Sequence, residues 1–467
     1  MQEEEEIIAA LRAAYDAFRS CDFKEFRKYL LATRAELEKY PQNHPLQGEW
    51  ILVQSLPSFA EPQKLVEMFG AAYALIGGKS RVFSEKISMS LDFYNVFGIY
   101  YRTGRADEIA ELLDKASALF EKLTGGGAET ALCYRAQLAH YRGEAENALS
   151  LAEKAYDAAR ANGNYLTALC AAELIGNLAK HAGNEKLWNK MLFYIDSVIA
   201  DPERRQVCTE TAEIIRAEAN MHIGVLKDMP DYVKTGNFGA IPQPNHPLGF
   251  VIIGKKISPT LLYYVGITHI QYLFYSKQYI EAINKIGMLR NVWRAAPQPF
   301  SDAYLDLLLA SNYRMLGDME SVYVCVSAAI EKIAPDGLWL IPSEFVLTSM
   351  GSYIIETAEK YDPDAGNKVR DLGIDYWNKI DDLRGIVHRE SLISALNDRE
   401  YEVALLAADR LSASEIAKQL YISESTVKFH LSNIFGKLGI KKKAEIAAAL
   451  EKNLTNKFSI SKIRKDW

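Results

Sequence analysis

Cysteine is scarce in this chain. Its 467 residues hold five, Cys21, Cys133, Cys170, Cys208 and Cys325, scattered and without a Cys-x-x-Cys pair. An odd, dispersed set argues against a disulfide framework and against a zinc site, and fits a reducing cytoplasm. Long apolar runs are missing too: none approaches the roughly 18 residues that span a bilayer. The opening Met1-Gln2-Glu3-Glu4-Glu5-Glu6 is acidic where a secretory signal is basic. A cytoplasmic location with no membrane partner is therefore expected. Sustained period-two alternation is nearly absent, which removes extended sheets.

Catalytic patterns are equally thin. The eight histidines are dispersed, with no metal-like spacing and no Ser, His and Asp arrangement. Gly77-Gly78-Lys79-Ser80 ends like a phosphate-binding loop, but that pattern needs a glycine five residues before Gly78, where Tyr73 stands, and a strand upstream, where the pattern is helical. We read these four residues as a helix-terminating turn. No enzyme activity, cofactor, metal or catalytic residue is expected.

What the chain has is apolar material and helical periodicity. It is 49% hydrophobic and 24% charged, ordinary for a globular protein, and too long for one compact core. Residues 1–385 carry apolar side chains at three- and four-residue spacing, broken by short turns. Three segments resemble one another: "GRADEIAELLDKA" from Gly104, "GEAENALSLAEKA" from Gly143 and "GDMESVYVCVSAA" from Gly317. Each has an acidic residue three places after the glycine (Asp107, Glu146, Glu320), an apolar one at five (Ile109, Ala148, Val322) and Ala at twelve (Ala116, Ala155, Ala329). Gly104 and Gly143 are 39 apart, "GNEKLWNKM" follows at Gly183, and Gln278 precedes Gly317 by another 39. A period near 40 holds two helices and two turns, with the glycine closing the first helix in a left-handed conformation.

Units of this kind bury their apolar faces by stacking. The body accordingly resembles tetratricopeptide-like superhelices, although their 34-residue period and full consensus are absent. The regularity lapses between Asp228 and Pro259, where four prolines predict mostly loop, serving as a connection or as a ligand-facing lid. Helix resumes at Ser258-Pro259. Tyr263, Tyr264, Tyr272, Tyr275 and Tyr279 surround the helix that follows; some belong to the core, and others are placed to line a groove.

The C-terminal part differs in charge. From Leu396 to Trp467 there are 13 Lys or Arg against 9 Asp or Glu, a balance of +4 that leaves −10 of the total −6 on the body. Capping signals are dense: Asn397 precedes Glu400 by three, Ser412 precedes Glu415 by three, and Ser423 is followed by Ser425 and Thr426. They predict helices at 398–409, 413–420 and 424–438, with a fourth from 443 to 452. Only Tyr421 and Ile422 separate the second helix from the cap of the third, the arrangement of a helix-turn-helix.

At 100° per residue, Val427, Leu431, Ile434 and Leu438 fall within about 60° and form a stripe to bury. The opposite side holds Ser425, Phe429, Ser432 and Gly436, flanked by Lys428 and by Thr426, His430, Asn433 and Lys437. Such a face fits a major groove. There Lys428 is placed for guanine O6 and N7, Ser432 for a base edge and Phe429 for a thymine methyl. Thr426, His430, Asn433, Lys437 and the run Lys441, Lys442 and Lys443 are placed for the DNA backbone.

Through Arg399-Glu400, Glu415-Ile416-Ala417, Ser423, Thr426-Val427-Lys428, His430, Asn433 and Lys437-Leu438-Gly439, residues 396–440 resemble the LuxR-type helix-turn-helix. The resemblance covers about a tenth of the chain. It implies a transcription regulator that binds duplex promoter DNA as a homodimer, with the fourth helix, here around Ala444 to Leu450, at the dimer contact and RNA polymerase as a further partner. By position, Lys428, Phe429 and Ser432 match the family's base-reading places. Phe429 is bulkier than the valine often found there, and Gly436 replaces a residue that is commonly basic.

The helical body suggests neither a phosphoacceptor nor an acyl-homoserine-lactone domain. The layout is closer to maltose-regulator-like members, whose superhelix binds an inducer, with the ATPase portion missing. The expectation is an all-α chain: a TPR-like sensor array at 1–385, a linker at 386–395, a small four-helix reader without a wing at 396–455 and a basic tail at 456–467. A small-molecule or protein effector acts at the body. The alternative of a different class is a helical scaffold whose C-terminal module docks proteins.

Overall fold

The computed structural model describes residues 2–19, 22–58, 61–83, 87, 89, 97, 100, 102–203, 206–226, 229–236, 240–242, 250–252, 259–292, 299–348, 350–395, 398–408, 410–420, 422–438 and 440–447. The chain divides into two compact units, residues 1–179 with 186–375, and residues 180–185 with 376–467. Cys21, Asn397 and the tail at 456–467 lie outside the described residues.

Helices dominate. The chain begins with α1 (Gln2–Arg19), α2 (Phe23–Leu37), α3 (Pro45–Gln54), α4 (Pro62–Ile76), α5 (Ala106–Thr124), α6 (Ala128–Tyr141), α7 (Ala145–Ala161), α8 (Tyr165–Ala182), α9 (Glu185–Ile199), α10 (Gln206–His222) and α11 (Asp231–Thr235). After a hairpin of β1 (Ala240–Pro242) and β2 (Phe250–Ile252) come α12 (Pro259–Tyr275), α13 (Tyr279–Val292), α14 (Pro299–Leu316), α15 (Met319–Ile333), α16 (Leu340–Ser343), α17 (Gly351–Glu359) and α18 (Ala365–Ala395). The chain continues into α19 (Asp398–Ala408), α20 (Ala413–Leu420) and α21 (Glu424–Leu438). No helix among the described residues is long and apolar enough to cross a membrane.

Local chemistry explains many of the helix ends. Asp22 accepts from Glu25 N at 3.1 Å and Asp318 from Ser321 N at 3.1 Å, each satisfying an orphan donor of the first turn. Proline opens α3, α4, α12 and α14, where its missing N–H costs nothing. At the C-terminal ends of α6, α8 and α14, Gly143, Gly183 and Gly317 have φ of 81°, 60° and 80°, and Gly104, before α5, has φ of 78°. The next residue's N–H reaches back into the last turn, as in Glu144 N to Ala139 O (2.9 Å) and Asp318 N to Tyr313 O (3.0 Å).

The same bond, Gln278 N to Leu273 O at 2.8 Å, closes α12. Here the left-handed residue is Lys277, φ 61°, one place before the Gln278 that the spacing selected. A side chain in that conformation costs about 1–2 kcal/mol. The alanines at the twelfth place, Ala116, Ala155 and Ala329, are fully buried, as helices in close contact require.

Gly77-Gly78-Lys79-Ser80 is a helix-terminating turn: Gly77 ends α4 at φ 69° and takes Tyr73 O at 2.9 Å. Ser80 Oγ and Arg81 N donate to the buried Glu49 carboxylate at 2.5 and 2.6 Å. The segment expected to be mostly loop contains α11 and the antiparallel β1–β2 hairpin, paired Ala240 with Ile252, Ile241 with Val251 and Pro242 with Phe250. Strands of three residues are too short to leave an alternation in the sequence. The expected linker at 386–395 is also different: its backbone is the last part of the 31-residue α18. Those ten residues include no glycine or proline to oppose helix.

One buried carboxylate ties distant parts of the body together. Asp336 accepts from the Tyr100 hydroxyl, from Gly104 N at 2.6 Å and from Ala106 N at 2.9 Å, which caps the start of α5 from 230 residues away. Arg142 donates through Nε to Asp336 O at 3.0 Å and grips Asp107 through both terminal nitrogens at 2.8 and 2.9 Å. Burial, and then the Asp336 carboxylate, hold the Tyr100 phenol well above its usual range. The described cysteines Cys133, Cys170, Cys208 and Cys325 are buried and not joined in disulfides.

Candidate nucleic-acid interface

Three short helices build the site around a small core. Val403, Ala404 and Ala407 of α19, Ile416 and Ala417 of α20, Val427, Leu431 and Ile434 of α21, and Ile446 form one buried cluster, with Leu438 packed against it. The expected stripe of α21 is thus the buried one, and it fixes which side of that helix faces outward.

Capping sets the boundaries. Ser412 and Glu415 form the expected box, Ser412 N to Glu415 Oε2 at 2.7 Å and Glu415 N to Ser412 Oγ at 3.3 Å. The Ser412 hydroxyl and backbone bonds hold the Glu415 carboxyl below its ordinary value. Ser423 Oγ takes Thr426 N at 3.1 Å and lies 2.7 Å from both the Ser425 and Thr426 hydroxyls. Glu445 Oε2 accepts from Lys441 N and Lys442 N at 2.9 and 3.2 Å, and helix begins at residue 445, two residues later than expected. Between α19 and α20 the chain turns at Arg410, a non-glycine residue at φ 66°.

On the outward side of α21, Ser425, Lys428, Phe429, Ser432 and Gly436 are exposed, and Thr426, His430 and Asn433 are half-buried. The Phe429 ring is 63% exposed, a large apolar surface with nothing covering it among the described residues. Lys428 Nζ lies 2.9 Å from Glu424 Oε1, a pair open to water on both sides, of the kind worth about 0.3–0.5 kcal/mol and readily exchanged for a stronger anion. His430 Nδ1 is buried without a hydrogen-bond partner among the described residues. Lys441 and Lys442 are exposed and form no ion pair there.

Two of the expected backbone-gripping lysines are otherwise engaged. Lys437 Nζ pairs at 2.5 Å with Glu400, whose side chain is 2% exposed, pinning α21 to α19. Glu400, read from the sequence as the capping partner of Asn397, therefore neutralises a lysine 37 residues away. Lys443 Nζ donates to the carbonyl of Leu411 and holds the turn before α20. Neither partnership has a signal in the local spacing.

Gly436 has nothing within 4 Å of where a Cβ would stand, and its φ is an ordinary helical one. Gly436→Ala is therefore expected to stabilise this unit by about 0.5–1 kcal/mol, read as a higher urea midpoint with an unchanged m-value.

Residues 394–450 match the family described as bacterial regulatory proteins, luxR family. The chain is 42% identical over 55 residues to the spore germination protein GerE of Bacillus subtilis, covering 12% of this chain and 74% of that one. It is 37% identical over 73 residues to the transcriptional regulatory protein LnrK of the same organism, covering 15% and 33%. To the DNA-binding transcriptional activator DevR/DosR of Mycobacterium tuberculosis it is 31% identical over 65 residues, covering 14% and 30%. The chain thus spans about a third of the length of LnrK and of DevR/DosR. The match over 394–450 and the coverage of 74% of GerE at 42% identity show the family: through its C-terminal unit, the chain belongs to the luxR family of bacterial regulatory proteins.

Proposed function

We propose that the protein is a sequence-specific transcription regulator that inserts the outward face of α21 into the major groove of promoter DNA, while its helical body, stacked as a superhelix, senses an effector. The observation that carries this reading is the division of α21. Its apolar stripe is consumed by the core, and its small, hydrogen-bonding and cationic residues face out around an uncovered Phe429. Lys428 reads a guanine edge, Ser432 a neighbouring base and Phe429 a thymine methyl. Thr426, His430, Asn433, Lys441 and Lys442 contact the backbone. Lys437 and Lys443 position the helix from the protein side, which lowers the number of cations left for phosphates. A homodimer places two such helices one turn of DNA apart.

Lys428→Ala tests the assignment. On duplex from a target promoter it is expected to cost about 1–3 kcal/mol and to relax preference at one base pair, and Phe429→Ala to weaken binding at an adjacent one. Affinity and sequence preference unchanged in both variants would favour the scaffold reading, in which the module docks proteins.

A further inference from the structure

Glu424 is the first residue of α21 and is exposed, as Lys428 is one turn later. At 100° per residue it lies about 40° beyond Lys428 on the same flank. Its Oε1 meets the Lys428 ammonium at 2.9 Å. Ser423 supplies the cap of α21, its Oγ taking Thr426 N at 3.1 Å, so capping is not what engages the Glu424 carboxylate. An acidic residue at a helix start is favoured by the helix dipole. The contact with Lys428 gives this one a second role, because it sets an acceptor beside a donor that faces the groove.

The N-terminal residues of a recognition helix are the ones that meet base edges. An ammonium carries three N–H donors. Two serve guanine O6 and N7, and the third stays with Glu424. In the major groove, guanine O6 lies next to the N4 amino group of the cytosine paired with it, an acceptor beside a donor. A lysine donor and a glutamate acceptor in contact are the complement of that array, so together they read both bases of the pair where lysine alone reads one. A carboxylate in the groove is repelled by phosphates and gains only where an amino group meets it. It therefore counts against wrong sequences as well as in favour of the right one.

We propose that Glu424 is a specificity-determining residue of α21: its carboxylate accepts from the N4 amino group of the cytosine paired with the guanine that Lys428 reads, and it keeps Lys428 from gripping phosphates instead. This rests on the reading of α21 as the helix that enters the major groove with Lys428 as its guanine reader.

The test is selection of duplexes from a random pool by the full chain, by Lys428→Ala and by variants of Glu424. The preference that Lys428→Ala loses marks the G·C pair concerned. Glu424→Ala is expected to lose about fivefold or more of the preference at that same pair. On random-sequence duplex its salt slope should steepen by about 1, because Lys428 is released to a phosphate. Glu424→Asp keeps the charge at the helix start but is one methylene short, and should lose the same preference with an unaltered urea midpoint. Replacing the marked cytosine base with 2-pyrimidinone, which lacks the amino group, should weaken the wild type by about fivefold relative to Glu424→Ala on the same pair of duplexes. Preference retained by Glu424→Ala, full rescue by Glu424→Asp, or equal losses on every duplex with a lowered urea midpoint would leave Glu424 a helix-stabilising residue and overturn the proposal, with DNA reading by α21 intact. A wild type that enriches no sequence overturns that reading and the proposal with it.

Discussion

Replacing Ile434 with Ala is expected to melt the reader and abolish duplex binding. Ile434 is fully buried and belongs to the cluster of nine buried side chains that, among the described residues, α19, α20 and α21 form with Ile446. Truncating a buried Ile to Ala costs about 2–5 kcal/mol. A unit of this size has little more than that in total. Lost amide protection across α19, α20 and α21, with α5 to α15 still protected, is the expected hydrogen-exchange result. Protection retained in α21 would mean that its apolar stripe is not what holds it.

Asp336→Ala is expected to cost about 3 kcal/mol in the body. The carboxylate takes two backbone donors and the Tyr100 hydroxyl at the entrance to α5, and it is buried with them. Loss of a cap alone costs up to about 2 kcal/mol, and each buried donor left unsatisfied adds to it. Asp336→Asn keeps one acceptor oxygen and should lose about half as much. The fluorescence of buried Trp339, three residues on, reports the transition in urea. A midpoint for Asp336→Ala within error of the wild type would show that the Arg142 and Asp107 contacts hold α5 by themselves.

The sequence was most informative where structure depends on neighbours in the chain. The limits of α20 and α21 were legible to the residue, because Ser412, Glu415 and Ser423 act over three positions. The left-handed glycines at 104, 143, 183 and 317 were legible for the same reason. Lys277 displaced Gln278 because any residue can be forced into that conformation by the helices on either side, and no residue type announces it.

Long-range partnerships left no trace. Glu400 to Lys437, Asp336 to α5, and Tyr264 to Glu173 each join residues that only the fold brings together. Within the site, the spacing on α21 told which side is buried and which faces out. It could not tell that Lys437 pairs with Glu400 and Lys443 with the Leu411 carbonyl, since a lysine near a helix end looks the same whether its partner is a carboxylate, a carbonyl or a phosphate. That the backbone of the expected linker at 386–395 is helical left no signal either: a stretch without glycine or proline is as good a helix as a connector.

The most direct measurement is the affinity of the full chain for duplex DNA from its own upstream region across a salt series. With Lys441 and Lys442 as the cations available to phosphates, the account predicts a log–log slope of about −2 per subunit, doubling for a dimer. Binding that is absent at every ionic strength, or present with a slope of zero, would contradict it.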